Sequence, residues 1–390
     1  MSAYLDYNST TPVDRRVLDA MLPYFGGTFG NASSIHSSGQ RARSAVDAAR
    51  ESVAALIGAK PAEIVFASGG TEADNLALFG IVAASTKPRK HVITTSIEHH
   101  AVLNSCQHLE SQGIEVSYVP VGSDGVVDPA DIRRALTPDT ILVSVMHANN
   151  ELGTIQPIDE IGRIAGEADV YFHCDAVQSA GKLPLDVNRL GVDLLSLSAH
   201  KIYGPKGAGA LYVRSGTALA PQFFGGHHER DRRPGTENVP GIVGLGKAAE
   251  LARALLSEDA ARIAALRDRL ENGLLDAISM IRVNGDTKRR VANTTNLTFA
   301  AAGGEALVIA LDLQGIACST GAACSSGAVE LSHVLTAIGL SHDEARSSLR
   351  FSLGRPTTGE EIDEAVAIIP RVVERLRALS PLSGATVPVR

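Results

Sequence analysis

At 390 residues the chain is long enough for two domains with large cores, and a 44% hydrophobic content with mean hydropathy of +0.07 describes a soluble globular protein. A net charge of −7 without a dense basic block excludes nucleic-acid binding by a broad electrostatic surface; Arg230-Asp231-Arg232-Arg233 is too short and too interrupted to change that. No apolar stretch approaches a membrane span, and a start that carries Asp6 early, with neither a basic nor an apolar lead, has no secretory signal, so a cytoplasmic protein without membrane partners is expected.

In chain order, residues 1–11 are expected to pack with a second, smaller domain or to line a site. Val46, Ala49, Val53, Leu56 and Ile57 then keep helical spacing and make one apolar face. From Glu63 to about Val213, strand-like runs at 63–67, 91–95, 114–119, 140–146, 170–173, 193–197 and 209–213 alternate with helical patterns. That alternation predicts an α/β fold: a mostly parallel seven-stranded sheet between helices. Ile263, Leu266, Leu270, Leu274, Leu275 and Ile278 form a longer amphipathic stripe that bridges to the second domain. That domain reads as α+β, with strands near 281–284, 293–299 and 349–353 and helices near 304–313, 330–339 and 359–378. Thr358-Gly359-Glu360-Glu361 has capping-box spacing for the last helix, and Pro370 is placed to kink it. The expected division is a large domain over 12–258 and a small one over 1–11 and 259–390. There is no internal repeat.

Three strand ends carry chemistry. Glu63-Ile64-Val65-Phe66-Ala67 runs into Ser68-Gly69-Gly70-Thr71, small residues opening a helix, where backbone N–H groups can approach a phosphate. Alone, such a turn is commonly just a cap. Tyr171-Phe172-His173-Cys174 ends in Asp175 with Gln178 beyond it, and Leu194-Leu195-Ser196-Leu197 ends in Ser198-Ala199-His200-Lys201 before the glycine-rich 204–209. A lysine at the end of a buried strand loses solvation, so its pKa falls and its amine becomes a nucleophile for a carbonyl. A strand-end aspartate with a strand-end lysine is the minimum set for holding pyridoxal phosphate, the lysine covalently and the aspartate at the pyridine nitrogen. An isolated aspartate there would be a helix cap, and an arbitrary lysine a surface residue; the ordered combination favours the cofactor.

Four cysteines are too few for a disulfide framework in a chain this size. Cys106 and Cys174 read as small buried residues. Cys318 and Cys324 lie in Gly315–Gly327, a run of small residues that should be a flexible loop. Neither this cysteine pair nor the adjacent His227 and His228 has zinc-ligand spacing, so no intrinsic metal site is expected.

In combination the motifs resemble the cysteine desulfurases of aminotransferase class V, fold-type I pyridoxal-phosphate enzymes, particularly the nitrogen-fixation and iron–sulfur-assembly group. The resemblance runs from about Tyr4 to Leu382. Its matching stretches are Leu5–Pro12, Ser68–Glu72, Glu98–Val102, His147–Gly153, His173–Ser179, Ser198–Lys201, Gly235–Asn238, the Cys324 loop at about 315–330, and Leu349–Ser352. It implies that Lys201 holds the cofactor and moves the substrate α-proton, that Asp175 pairs with the ring nitrogen, and that Gln178 bonds the ring oxygen. It implies that His99 stacks on the ring and helps with proton transfer at the substrate thiol. Gly70, Thr71, Ser198 and His200 would hold the phosphate, with Thr236 reaching it from the other subunit of a homodimer. Asn150 and Arg350 would fix the carboxylate of L-cysteine, Arg350 by a two-pronged contact. Cys324 would take the sulfur as a persulfide, release L-alanine, and pass the sulfur to an iron–sulfur scaffold or another acceptor protein, where it could contact that protein's cluster.

Against these roles stand packing or capping for His99, an ordinary turn for Asn150 beside Asn149, and a structural ion pair for Arg350, with Arg355 nearby. Family departures fall at Ser319–Cys324, at Cys318, at Pro234, at Ala32 and at Leu331; none removes a catalytic group. Cys318 reads as a small apolar residue in preference to a resolving thiol. The rival readings are a selenocysteine lyase or an aminotransferase on the same fold, and a non-catalytic scaffold.

Overall fold

The computed structural model describes residues 3–320 and 331–379. Its strands are β1 (Ala3–Tyr4), β2 (Ile64–Ala67), β3 (His91–Thr95), β4 (Glu115–Val119), β5 (Thr140–Ser144), β6 (Tyr171–Asp175), β7 (Leu194–Ser198), β8 (Gly209–Val213), β9 (Ile281–Val283), β10 (Thr294–Phe299), β11 (Ile316–Ala317) and β12 (Ser348–Ser352). Seven of them form one sheet in the order β2-β8-β7-β6-β5-β3-β4. Only β8 runs against the others in that sheet, pairing antiparallel with both β2 and β7. The expected seven-stranded, mostly parallel sheet is thus present, each strand within a residue or two of its predicted run. The four-to-five-residue apolar strands are buried end to end, as strands covered on both faces must be.

Helices supply the cover. Ser37–Ile57 presents Val46, Ala49, Val53, Leu56 and Ile57 to the core, as its spacing predicts, and stops at Gly58 in the left-handed conformation. A 39-residue helix, Val239–Ala277, serves two cores. Its first half packs Val239, Ile242 and Leu245 against the large sheet; its second half packs Ile263, Leu270 and Leu274 into a separate cluster. That second cluster is built on the antiparallel sheet β12-β10-β9 and also takes Ala3, Leu5, Phe299, Phe351, Ile362 and Ile369. Its last helix, Gly359–Leu379, opens with the predicted box: Glu361 N–H donates to Thr358 Oγ1 at 3.2 Å and Thr358 N–H to Glu361 Oε2 at 2.7 Å. Pro370 lies inside this helix.

One expectation is corrected. The small-residue run does not begin as a loop: Ile316 and Ala317 form β11, parallel to β1, and Ser319 bridges to Arg350 of β12. Two apolar side chains with a waiting edge strand suffice to order that end, and Cys318 is 9% exposed inside the second cluster. Residues 321–330, with Cys324, lie outside the described residues. The first eleven residues do both things expected of them, Ala3 and Leu5 packing in the second cluster while Asn8 and Ser9 line a cavity. No helix among the described residues is long and apolar enough to cross a membrane.

Candidate active site

Strands β2, β3, β5, β6 and β7 all point their carboxyl ends to one edge of the large sheet, and the residues just past those ends converge there, as parallel sheets require of their ligand sites. They line a cavity of about 330 Å³ closed on its far side by residues of the N-terminal segment and of β12. Gly70, Thr71, His99, Asn150, Asp175, Gln178, Ser198, His200, Lys201 and Arg350 all line it. Of the residues singled out in the sequence, Thr236 does not; it is exposed, on the segment between Arg233 and the helix Val239–Ala277. Cys324 lies outside the described residues.

Lys201 ends a short 3₁₀ turn, Ala199–Lys201, after β7. Its Nζ donates to the carbonyl oxygens of Asn8 at 2.5 Å and Ser9 at 2.8 Å. Burial, then the nearby Arg350 cation, pushes its amine down to about 8, toward the neutral form that can attack a carbonyl. Asp175 closes β6 and accepts from Val177 N–H at 2.9 Å. Burial raises it to about 6, opposed by that hydrogen bond and by Lys201. Its neighbour Asp74, from the helix Gly70–Ala84, is likewise pushed up, by burial and then by Asp175, so the two carboxyls compete for one negative charge, and Lys201 and the Val177 N–H favour Asp175 as its holder. Below them His173 is held between Ser144 Oγ (2.8 Å) and Ser196 Oγ (3.0 Å), and burial drives it to about 3, a neutral ring.

His99 is both things weighed for it. It caps the helix His100–Ser111, its Nδ1 accepting from Ala101 N–H at 3.1 Å, and it lines the cavity. An accepting Nδ1 leaves the ring hydrogen on Nε2, and burial together with Lys201 lowers the ring to about 4. His200 accepts or donates through Nδ1 with Thr10 Oγ1 at 3.2 Å and is lowered to about 4 for the same reasons.

The glycine turn is built for close approach. A Cβ on Gly209 would sit 2.6 Å from the Gly69 Cα, against backbone that cannot give way, and one on Gly70 would sit 2.8 Å from Val177 Cγ2 and have to displace that side chain. Ser198 Oγ at this turn is buried and, among the described residues, has no hydrogen-bond partner. Such an orphan is costly unless a ligand satisfies it.

The opposite wall is where sequence reasoning saw least. Arg350 is 4% exposed; its guanidinium donates to Asp6 Oδ1 (2.7 Å), Ser9 Oγ (2.8 Å) and the Asn150 carbonyl (3.0 Å). The ion pair weighed as its alternative role exists, with Asp6, yet its Nε is buried and unpartnered among the described residues, so that N–H is left to be satisfied. Arg355 is a different residue in kind: it pairs with Asp14 and Asp259 and lies over the Tyr203 ring. Asn149 makes the turn, its side-chain oxygen accepting from Glu151 and Leu152 N–H, and Asn150 beside it lines the cavity. Asp6, Asn8, Ser9, Asp74 and Lys182 stand at or beside the site without a chemical signature of their own in the sequence. The Leu5–Pro12 motif was the available signal, but nothing local says that its carbonyls meet Lys201.

Comparison with known proteins places this site in context. The model of the aminotransferase class-V family matches residues 3–365. The chain is 52% identical over 382 residues to the cysteine desulfurase IscS of Methanosarcina thermophila, covering 98% of this chain and 94% of that protein. It is 56% identical over 382 residues to the IscS of Anaeromyxobacter sp. strain Fw109-5, covering 97% and 94%. Among solved structures, a NifS-like protein superposes with TM-score 0.91 at 39% identity, covering 96% of this chain and all of that one. SspA in complex with cysteine gives 0.81, also at 39% identity, covering 90% and 99%.

Proposed function

The chain belongs to the class-V aminotransferase family and is a cysteine desulfurase, and from that premise we propose which of its residues carry the reaction. The observation that supports the assignment is the single cavity in which Lys201, Asp175, His99, Ser198 and Gln178 face Arg350 and Asn150.

Members of this family depend on pyridoxal phosphate, and the residues here fit that group: an unsatisfied Ser198 hydroxyl at a glycine-lined helix start, a strand-end carboxylate and a desolvated lysine. Bound there, pyridoxal phosphate supplies an electron sink for bonds broken at the substrate's α-carbon. Ser198 Oγ, His200 and the Gly70–Thr71 end of the helix would hold the phosphate. Asp175 would hold the proton at the ring nitrogen, Gln178 would donate to the ring oxygen, and His99 would lie against the ring. Lys201 would hold the group covalently and then carry the proton at the substrate's α-carbon. Arg350 would meet the substrate carboxylate through its Nε, with the Asn150 amide beside it. His99, with its hydrogen on Nε2, would act as a donor at the substrate sulfur.

The nucleophile in this proposal is Cys324. Its thiol takes the sulfur of L-cysteine, forming a persulfide on Cys324 and leaving L-alanine; the sulfur then goes to an acceptor, an iron–sulfur scaffold protein in the first instance, in the cytoplasm. A homodimer belongs to the same proposal. An open groove of about 940 Å³ reaches Thr71 and His99 from outside, and would admit a partner copy's Thr236 segment to the phosphate. The proposal also includes the division at about residue 258, supported by the two apolar clusters that share one helix.

The test is an absorbance spectrum of the purified protein before and after L-cysteine, with alanine and sulfide quantified under reductant. A visible band that shifts, with both products formed, is expected. Cys324→Ala should keep the spectral change and lose turnover. A bound cofactor without sulfur product would point to another reaction on this fold, and failure to take up pyridoxal phosphate would favour a scaffold.

A further inference from the structure

Lys182 has no part in the proposed reaction, yet it stands directly behind the cavity. Its Nζ donates to Gln178 Oε1 at 2.8 Å and to Asn8 Oδ1 at 3.1 Å. Those two residues are joined to each other, Gln178 Nε2 donating to the Asn8 carbonyl at 3.0 Å, and the same carbonyl receives Lys201 Nζ. Asn8 Oδ1 also accepts from Asn293 Nδ2 at 3.0 Å, while its Nδ2 reaches the Asn150 carbonyl and Thr294 Oγ1. An ammonium has donors and no acceptor. Were the Gln178 amide reversed, its NH₂ would face the ammonium and its oxygen would face the Asn8 carbonyl, both repulsive. The lysine therefore dictates which way the amide points, with one N–H on Asn8 and the other left for the cavity.

We infer that Lys182 is a positioning residue for cofactor binding, locking the Gln178 amide so that its N–H faces the ring oxygen and tying Asn8 beneath Lys201. The inference rests on the proposed assignment of Gln178. The donor-only, cationic form of Lys182 that orients the amide is the one populated below about 7. Burial, then Lys201 and Arg350, lowers the Lys182 amine to about 7, and the repulsion between the two lysines is mutual. Tyr7, Tyr203, Asp259 and Arg355 face the two lysines across a cavity of about 40 Å³.

The experiment measures equilibrium affinity for pyridoxal phosphate and the pH midpoint of the visible band in wild type, Lys182→Met, Gln178→Ala and the double variant, with Tm of each apoprotein in parallel. Lys182→Met should weaken pyridoxal phosphate binding about tenfold, as the hydrogen bonds that orient Gln178 and Asn8 are lost. It should also move the band's midpoint upward, because Lys201 loses a neighbouring cation. The double variant should lose much less than the sum of the two single losses, since both changes cut the Lys182–Gln178 connection. Lys182→Arg should recover most of the affinity. If Lys182→Met does not fold, Lys182→Gln, which still donates to both amides without charge, should keep affinity within about threefold of wild type and still raise the midpoint. A lowered Tm with affinity and midpoint unchanged, or losses that add to those of Gln178→Ala, would overturn the inference. A wild-type protein that takes up no pyridoxal phosphate would instead sink the functional assignment on which it rests.

Discussion

The two walls of the cavity are built on opposite plans. The wall carrying Asp175, Ser198 and Lys201 is the edge of one sheet, where each functional side chain sits at or just past the buried carboxyl end of a strand and the backbone ladder fixes its place. The wall carrying Arg350, Asn150 and Ser9 is assembled from three segments far apart in the chain, joined by polar side chains and bridged by Asp6 and Asn8. The first wall tolerates the loss of a side chain without losing its shape. The second is held by the very groups it uses, so function and local stability should fail together there.

Lys201→Ala gives the largest separation of the two. It should abolish covalent retention of pyridoxal phosphate and cut turnover by roughly 10³-fold or more while leaving the apoprotein Tm within a few degrees of wild type, read by spectrum, alanine release and calorimetry. Arg350→Ala should lower kcat/KM for L-cysteine by about 10²-fold, chiefly through KM, and also lower Tm, because it removes the buried partner of the half-buried Asp6 and of the Ser9 hydroxyl and Asn150 carbonyl. Arg350→Lys should recover little, since one ammonium cannot serve Asp6, Ser9 and the Asn150 carbonyl together. An Arg350 variant that loses affinity with an unchanged Tm would break the comparison.

The pH dependence isolates the sheet wall. Below about 8 the Lys201 amine is protonated, so the rate of pyridoxal phosphate uptake by the apoprotein should rise about tenfold per pH unit toward that value and level above it. For a lysine lowered on folding, the native state has already released a proton that the unfolded chain still holds. Stability therefore rises with pH from about 8 to the ordinary lysine range, and calorimetry across that window checks the sign. The smallest effect is expected at Asp6. Asp6→Asn removes the anion that competes for the Arg350 guanidinium, so KM should fall by about threefold while Tm drops by a few degrees. A rise in KM would mean that Asp6 aims Arg350 more than it competes for it.

The legibility of the two walls divides in the same way. Apolar runs of four to seven residues ending in Asp175, Lys201 or the glycines at 69–70 announce strands and the turns at their ends, because burial and backbone geometry act within a few residues. His99 was legible as a helix start, and Asn150 and Arg350 as polar groups needing partners. The partners themselves were not. Nothing near Arg350 in the chain announces Asp6, and Asp74 and Lys182 read as ordinary helix and loop residues until they are seen on Asp175 and Gln178. The Gly315–Gly327 run was misjudged at its start because strand formation by Ile316 and Ala317 depends on β1, more than three hundred residues earlier.

By itself, then, the sequence determined the α/β class, the order of the strands' functional ends, the chemistry of a strand-end lysine opposed by a strand-end acid, and the family to which the motifs belong. Those depend on periodicity and on side-chain type, both local. Only the tertiary structure decided which groups share charge across the cavity: that Asp74 and Asp175 compete for one negative charge, that Asp6 takes part of Arg350 while its Nε stays unpartnered among the described residues, and that one asparagine carbonyl receives both Lys201 and Gln178. Desolvation and pairing depend on neighbours in space, and those neighbours come from segments hundreds of residues apart.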